Sequence, residues 1–303
     1  MNVGQSPKGR ILNGQVYRIV AVLFSLFALS HDCVRAETTP IFVIGDTGDC
    51  SDGPRQVSDA LQRDPDYSRA WLLEVGDLAY PAGTKERLQE CHEPFFGPQR
   101  FPKRFAVPGN HDARDVGLAG FRSLYPEALP RTVDFDRWRF LLIDSNLRDE
   151  LWGRQVGWVE QTLKDSANRC VIAVWHHPAW SSGHRGGSAF ARPLWAKLAG
   201  VATLTVHGHD HHYERLAPRD AQGAVSAEGT PSFIAGHGGA SLYQPPEQLL
   251  AGGVTVFNRW GYLKLELTDT TYRWQAVSVT GEVLDEGRGA CRPVSSAKPS
   301  QTD

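Results

Sequence analysis

The 303-residue sequence lacks a long run of basic residues and has almost no net charge, since 32 lysines and arginines against 34 aspartates and glutamates leave a formal charge of −2. Proteins that bind nucleic acids through the phosphate backbone present a concentrated basic surface. We therefore expect no nucleic-acid partner. The sequence also lacks an internal repeat and a linker rich in glycine or serine. These absences favour one folded domain.

Apolar runs long enough to cross a bilayer comfortably are missing as well, because the uncharged stretch "IVAVLFSLFALS" at residues 19–30 is too short. Basic residues precede this stretch, and Val34 and Ala36 stand at the small-residue positions of a cleavage site. This order predicts a signal peptide over residues 1–36 and an exported protein, periplasmic or extracellular. We expect no stable membrane anchor after cleavage. A membrane anchor or a buried helix is the alternative interpretation of the stretch.

Cysteine is scarce, with five in the chain. Cys33 would be removed with the signal peptide, which leaves Cys50, Cys91, Cys170 and Cys291. An exported chain with four cysteines permits two disulfides in any of three pairings. Cys50 and Cys91 both lie in loops just after predicted strands, which favours that pair. Free buried thiols are the alternative.

Short apolar runs recur along the chain, and each ends in a polar turn. Runs of this length that are rich in valine and isoleucine predict strands covered on both faces. They occupy residues 41–46, 70–77, 104–112, 139–146, 170–178, 201–211 and 231–239. Between several of them lie helix-like stretches, such as 53–64 and 155–166, with apolar residues at intervals of three and four. Alternating strands and helices predict an α/β protein.

The C-terminal part of the chain has a different pattern. Residues 260–286 alternate apolar and polar side chains around "TDTT", which predicts an antiparallel hairpin. Residues 292–303 are polar and contain proline and serine, which predicts a disordered tail. The folded domain is therefore expected to span residues 37–291.

Polar side chains collect where successive predicted strands end, which is the edge at which open α/β sheets bind ligands. They are Asp46, Asp77, Asn110 with His111, His176, and His209 with His211. A single aspartate at a strand end is explained by turn preference, but five such clusters in order are not. Carboxylates, an amide oxygen and imidazoles without cysteine suit iron, manganese or zinc. The set is too large for one ion and large enough for two that share a carboxylate.

Five ordered motifs, "GDTG", "GDLAY", "GNHD", "VWHHP" and "GHDH", resemble those of the calcineurin-like metallophosphoesterases. The tyrosine of "GDLAY" makes this motif similar to that of the purple acid phosphatase branch. Other branches carry a histidine two residues after the first aspartate, where this chain has Gly48, and Tyr80 is the compensating ligand. The motifs span residues 41–211, and the similarity is to short, single-domain forms. The resemblance implies a four-layer α/β/β/α sandwich of two mixed sheets.

The resemblance also implies two metal ions with separate ligand sets that share one carboxylate. The first ion, ferric in the family, would be held by Asp46, Asp77, Tyr80 and His211. The second ion, Fe(II), Zn or Mn, would be held by Asp77, Asn110, His176 and His209. A phenolate is a hard anionic donor that a trivalent ion can keep deprotonated, which is the physical reason to expect Fe(III) beside the tyrosine.

The implied reaction is the hydrolysis of small phosphomonoesters by attack of a metal-bound hydroxide. His111 and His184 would lie beside the substrate as phosphate-binding or proton-donating groups, and we expect Asp112 to orient the other ring nitrogen of His111. One alternative is a phosphodiesterase that acts on nucleotides or lipid head groups. An alternative of another class is a metal- or iron-binding protein without hydrolytic activity. The oligomeric state is not predicted.

Three other histidines lie beside the predicted ligands. His207 alternates with His209 and His211, but it has no ligand counterpart in the family, so we interpret it as a hydrogen-bonded strand residue. Alternation along an extended chain also predicts that His177 and His212 point away from their ligand neighbours.

Overall fold

The computed structural model describes Met1, residues 38–244 and residues 248–295. The predicted signal peptide after Met1, Glu37 and residues 296–303 of the predicted tail lie outside the described residues. No helix in the described ranges is both long enough and apolar enough to cross a membrane.

The predicted alternation of strands and helices is present in the structure. The strands are β1 (Thr39–Ile44), β2 (Trp71–Glu74), β3 (Arg104–Ala106), β4 (Arg131–Phe135), β5 (Trp138–Leu142), β6 (Cys170–Val174), β7 (Leu204–His207), β8 (Tyr213–Arg219), β9 (Thr230–Ala235), β10 (Gly253–Val256), β11 (Gly261–Leu267), β12 (Thr271–Ser278) and β13 (Val283–Ala290). The helices are α1 (Asp52–Arg63), α2 (Lys85–Cys91), α3 (Glu93–Phe96), α4 (Ala119–Leu124), α5 (Asp149–Lys164) and α6 (Arg192–Leu198).

The strands form two mixed sheets. The first has the order β13-β12-β11-β1-β2-β3, with β1, β2 and β3 parallel. The second has the order β10-β8-β9-β7-β6-β5-β4, with β5, β6, β7 and β9 parallel. In this register the last residues of β1, β2 and β3 lie side by side: Ile44 pairs with Glu74, and Glu74 pairs with Ala106. The turns that follow these strands therefore lie at one edge of the sheet.

The two sheets pack face to face around a shared apolar core, in which Val43 of the first sheet and Phe140 of the second are fully buried. Helices cover the opposite faces. Val57 of α1 packs on the first sheet, and Val159 of α5 and Trp195 of α6 pack on the second. The result is the four-layer α/β/β/α sandwich of two mixed sheets, so the predicted fold class is confirmed.

Helix α1 shows how the local sequence sets where a helix begins and which face it buries. Ser51 is its N-cap, because the Ser51 hydroxyl accepts a hydrogen bond from the Gly53 N–H at 3.2 Å. Val57 and Leu61 lie one turn apart and bury the same face of the helix against the first sheet. The polar cap thus places the start of α1 directly after the turn that carries Asp46.

Two disulfides link elements that are distant in sequence. The favoured Cys50–Cys91 pair is confirmed, with a Cα–Cα distance of 4.6 Å. Cys170 and Cys291 form the other pair, with a Cα–Cα distance of 5.4 Å. Because Cys170 begins β6 and Cys291 follows β13, the second disulfide ties the two sheets together.

The C-terminal region extends further than the sequence predicted. Strands β11 and β12 form the expected antiparallel hairpin, but residues 283–290 add β13 as a third strand. Residues 292–294, predicted to be disordered, are packed instead. The Val294 N–H donates to the Arg169 carbonyl at 2.9 Å, and its side chain is buried. The nearby Cys170–Cys291 disulfide keeps this segment beside β6.

Candidate metal centre

Three of the predicted ligands sit in turns where the chain adopts a left-handed conformation. Asp46, Asp77 and His209 have φ angles of 58°, 56° and 74°, and each directly follows a glycine. Among residues other than glycine, aspartate, asparagine and histidine adopt this conformation most readily. A Cβ atom on Gly76 would lie 2.6 Å from His176 Nδ1, and one on Gly208 would lie 2.7 Å from Asp46 Oδ2. The glycines therefore allow the turns to approach closely enough for the ligands to converge.

The first predicted ligand set is brought together around the Tyr80 hydroxyl. Its oxygen lies 3.1 Å from Asp46 Oδ1, 3.3 Å from Asp77 Oδ2 and 3.0 Å from His211 Nε2. The other ring nitrogen of His211, Nδ1, lies 2.7 Å from the Ser241 carbonyl oxygen. Because a carbonyl only accepts, this bond protonates Nδ1 and leaves Nε2 facing the cluster.

His176 and His209 of the second predicted set lie beside the first. His176 Nδ1 bonds the Val75 carbonyl at 2.8 Å, and His176 Nε2 lies 3.4 Å from Asp77 Oδ2. The His209 N–H donates to Asp46 Oδ2 at 2.8 Å, and its ring centroid lies 5.1 Å from that of His176. Asp77 Oδ2 therefore lies between Tyr80 of the first set and His176 of the second.

The donor atoms fit metal ions. His176 Nε2 and Asn110 Oδ1 are buried and have no hydrogen-bond partner within the described residues. Such orphaned atoms are unfavourable unless a ligand satisfies them. Candidate ligand atoms of Asp46, Asp77 and His176 lie within 4.8 Å of one another. A cation at this position would satisfy the orphaned donors and could be held by the clustered carboxylates and imidazole.

The electrostatics of the cluster also favour cations. Burial, followed by the negative charges of Asp46 and Asp77, raises the pKa of Tyr80 well above 10. Burial lowers the pKa of His176, but the Asp77 charge outweighs it and holds this pKa at about 9. The carboxylates contribute to the first shift and cause the second, so they place negative charge at the centre that positive ions would neutralise.

His111 lies at the edge of the cluster. Its Nδ1 is 2.8 Å from the Pro81 carbonyl oxygen, its Nε2 is 4.0 Å from Asp77 Oδ2, and its ring centroid is 4.3 Å from that of Tyr80. The prediction that Asp112 orients this ring is wrong, because the Pro81 carbonyl occupies Nδ1.

Asp112 instead binds the backbone of two turns that carry proposed ligands. Its buried carboxylate accepts backbone N–H bonds from Asp77 at 2.9 Å, Leu78 at 3.0 Å and Gly109 at 2.8 Å. It therefore joins the turn after β2 to the turn after β3.

His184 is not brought into the ligand cluster. It is exposed, and its ring lies edge-on to Tyr243 with a centroid distance of 5.7 Å. Tyr243 in turn stacks on His211, with centroids 4.2 Å apart and planes at 8°. Sequence reasoning missed Tyr243, because it stands in no motif and lies far from His211 along the chain.

His207 and His177, which lie beside proposed ligands, differ in their surroundings. His207 is buried, and its ring nitrogens bond the Trp175 carbonyl at 3.0 Å and the Thr205 hydroxyl at 2.8 Å, which confirms its structural role. His177, predicted to point away, instead has a ring nitrogen within 4.8 Å of those of His176 and His209. Strand β6 ends at Val174, so the alternation rule no longer applies at this histidine.

The fold and the site define the class of the protein. Two mixed sheets between helical layers carry carboxylate, imidazole and phenol side chains on the turns at one sheet edge. The family model for calcineurin-like phosphoesterases matches residues 39–213, more than half of the chain. The chain therefore belongs to this family, whose members use a binuclear metal centre, and the described residues include groups of side chains that could hold metal ions.

Solved structures support the fold assignment. Purple acid phosphatase PPD1 from yellow lupin (Lupinus luteus) seeds is 16% identical with a TM-score of 0.67, over 84% of this chain and 54% of that chain. GAP50, the anchor in the inner membrane complex of Plasmodium, is 15% identical with a TM-score of 0.69, over 86% and 90%. PhoD is 10% identical with a TM-score of 0.51, over 87% and 73%.

At these identities the similarity shows the fold alone. The matched region spans about half the length of the lupin enzyme. None of the curated proteins compared with the chain matches it significantly.

Proposed function

We propose that the protein is an exported phosphomonoesterase of the purple acid phosphatase type, with Fe(III) beside Tyr80 and Fe(II), Zn or Mn in the second site. The observation that carries this proposal is the convergence of the Tyr80 hydroxyl with two carboxylates and His211, at 3.0 to 3.3 Å. A phenolate and two carboxylates place three anionic donors around one position, which favours a trivalent ion over a divalent one.

The second site has a different charge. Asn110, His176 and His209 are neutral ligands, so Asp77 is its only anionic donor among the proposed residues. This set suits a divalent ion. When bound, the two ions would supply positive charge for the phosphate ester and lower the pKa of the attacking water.

His111 is the proposed proton donor to the departing alcohol. The Pro81 carbonyl, 2.8 Å from Nδ1, keeps that nitrogen protonated in every state of the ring. The proton that His111 can transfer is therefore on Nε2, the nitrogen on the side of Asp77. Its position at the edge of the cluster supports a role at the leaving-group oxygen.

Export is supported by two independent observations. The N-terminal apolar stretch at residues 19–30 has the composition of a signal peptide. Two disulfides occur within the described residues, and disulfides persist mainly in oxidising compartments.

The decisive experiment is metal analysis of the purified protein combined with its visible spectrum. We expect one iron and one further metal per chain, and a purple charge-transfer band that Tyr80→Phe abolishes. Zinc or manganese alone, in a colourless protein, would refute the ferric assignment but not the phosphoesterase class.

Substrate class is tested by comparing an aryl phosphate with the corresponding bis-aryl diester. The proposal predicts faster turnover of the monoester. Faster turnover of the diester would refute it in favour of a phosphodiesterase, and bound metal without turnover of either ester would indicate a non-hydrolytic role.

A further inference from the structure

The segment 181–185, which carries His184, is fixed by two buried carboxylates. The Ser181 hydroxyl donates to Asp210 Oδ2 at 2.5 Å, and the Arg185 N–H donates to Asp210 Oδ1 at 2.8 Å. The Ser182 N–H donates to Glu214 Oε2 at 2.9 Å. Asp210 lies between the proposed ligands His209 and His211 in the chain. The position of this segment is therefore tied to the metal centre.

Tyr243 connects the side chain of Arg185 to the same centre. Its backbone N–H donates to the His211 carbonyl at 3.1 Å, and its ring stacks on the His211 ring. The Arg185 guanidinium lies over the Tyr243 ring, 5.9 Å from the ring centroid. Interaction with Tyr243, followed by the charges of Asp210 and Asp77, raises the pKa of Arg185. The guanidinium, which is charged in any protein environment, is thus linked to the proposed ligand His211 through the Tyr243 ring.

The charge of Arg185 is available to a ligand. The side chain is exposed, and its hydrogen-bond partner is the side chain of Tyr243 rather than a carboxylate of the described residues. Both oxygens of Asp210, whose charge acts on Arg185, already accept hydrogen bonds from Ser181 and from the Arg185 backbone. A planar guanidinium with free N–H donors binds carboxylate and phosphate groups through two parallel hydrogen bonds.

We propose that Arg185, supported by Tyr243, is a specificity-determining residue that binds a second anionic group of the substrate. The preferred substrates are then phosphomonoesters that carry a carboxylate or another phosphate near the ester. This inference rests on the proposed phosphomonoesterase function and adds the substrate class. It also gives the rigid attachment of segment 181–185 a purpose, since the guanidinium must keep a constant distance from the metal centre.

The kinetic test uses esters that differ only in the second group: glycerol 3-phosphate, 3-phosphoglycerate and glycerol 1,3-bisphosphate. We expect the wild-type kcat/KM to be higher for at least one of the two esters that carry a second anionic group than for glycerol 3-phosphate. Arg185→Gln should lower that preference about tenfold, as for loss of one charge-assisted contact. Arg185→Lys should restore part of it. An equal loss for all three esters would overturn the proposal.

Arg192→Gln is the matched control, because it removes the same charge from another exposed arginine, whose guanidinium lies 4.4 Å from the Trp180 ring centroid. We expect the substrate preference to be unchanged in this variant. If it falls as in Arg185→Gln, the effect is one of net charge, and the proposal is wrong.

A binding measurement separates this inference from the proposed activity. Calorimetry of the metal-loaded protein with inorganic phosphate and with methylenediphosphonate requires no turnover. Arg185→Gln should weaken binding of the diphosphonate about tenfold more than binding of phosphate, at unchanged metal content. Equal weakening of both anions would overturn the role of Arg185, whereas failure to hydrolyse any ester would count against the proposed function alone.

Discussion

The buried acid Glu74 allows a quantitative prediction of how the stability of the fold depends on pH. Glu74 ends β2, three residues before Asp77, and its side chain is fully buried. The Tyr125 hydroxyl donates to Glu74 Oε2, and Oε1 lies 3.2 Å from His92 Nε2. Burial raises the pKa of Glu74 from 4.5 to about 7, against the opposing effects of Arg104 and Tyr125.

The sign follows from proton binding in the two states. Because the pKa is higher in the folded chain, the folded state holds the Glu74 proton more tightly than the unfolded state does. The stability that this proton supplies is present below pH 4.5 and is lost as the pH rises through 7. The shift corresponds to about 3 kcal/mol at 1.36 kcal/mol per pKa unit.

His92 opposes this trend and would hide it in the wild-type protein alone. Burial, followed by the Arg104 charge, lowers the pKa of His92 from 6.5 to about 3. Its contribution is present above pH 6.5 and is lost as the pH falls towards 3. The Glu74 effect is therefore seen in the difference in unfolding free energy between the wild type and a Glu74 variant, both of which retain His92.

The perturbation is Glu74→Gln, measured by urea unfolding of chelator-treated protein between pH 4.5 and pH 8. We expect the unfolding free energy of the variant, relative to wild type, to increase by about 3 kcal/mol across this range. Replacement of the exposed Glu150 by glutamine is the control and should give a difference that varies by less than about 1 kcal/mol. A difference for Glu74→Gln that does not change with pH would refute the reasoning from burial.

Three further predictions concern the centre and the scaffold. Asp77→Ala should remove both metals and turnover, as measured by metal analysis and assay, and a metal-loaded, active variant would contradict the shared carboxylate. His111→Gln should lower kcat by about 10² to 10⁴ for alkyl phosphates, whose leaving groups need a proton, and less for aryl phosphates; an equal loss for both would argue against proton donation. Replacing Cys170 and Cys291 by serine should lower the unfolding free energy by about 4 kcal/mol in denaturant titrations, because this disulfide closes a long loop; an unchanged stability would contradict that role.

Much of the fold was predictable because it depends on neighbouring residues. The apolar runs became buried strands, the residues around Val57 and Leu61 became an amphipathic helix, and the TDTT turn became a hairpin. Strand ends rich in glycine and aspartate also indicated where polar side chains would collect. Hydrophobic period and turn chemistry are local properties, so they can be read from the sequence.

The errors at the site have the opposite origin. Periodicity predicts the wrong direction for the His177 side chain, because it does not reveal that β6 ends at Val174. Adjacency in the sequence suggests that Asp112 orients His111, but the Asp112 carboxylate accepts hydrogen bonds from backbone N–H groups of three separate residues. Tyr243 was missed because its contact with His211 depends on the path of a long loop.

The sequence by itself determined the layers of the fold, the order of the strand-end motifs and the kinds of donor atoms available for metal ions. Only the tertiary structure decided that Asp77 lies between the two ligand sets, that the Pro81 carbonyl orients His111, and that Arg185 lies near the centre. The physical reason is that donor chemistry belongs to each residue, whereas distances between turns depend on the register and packing of two whole sheets.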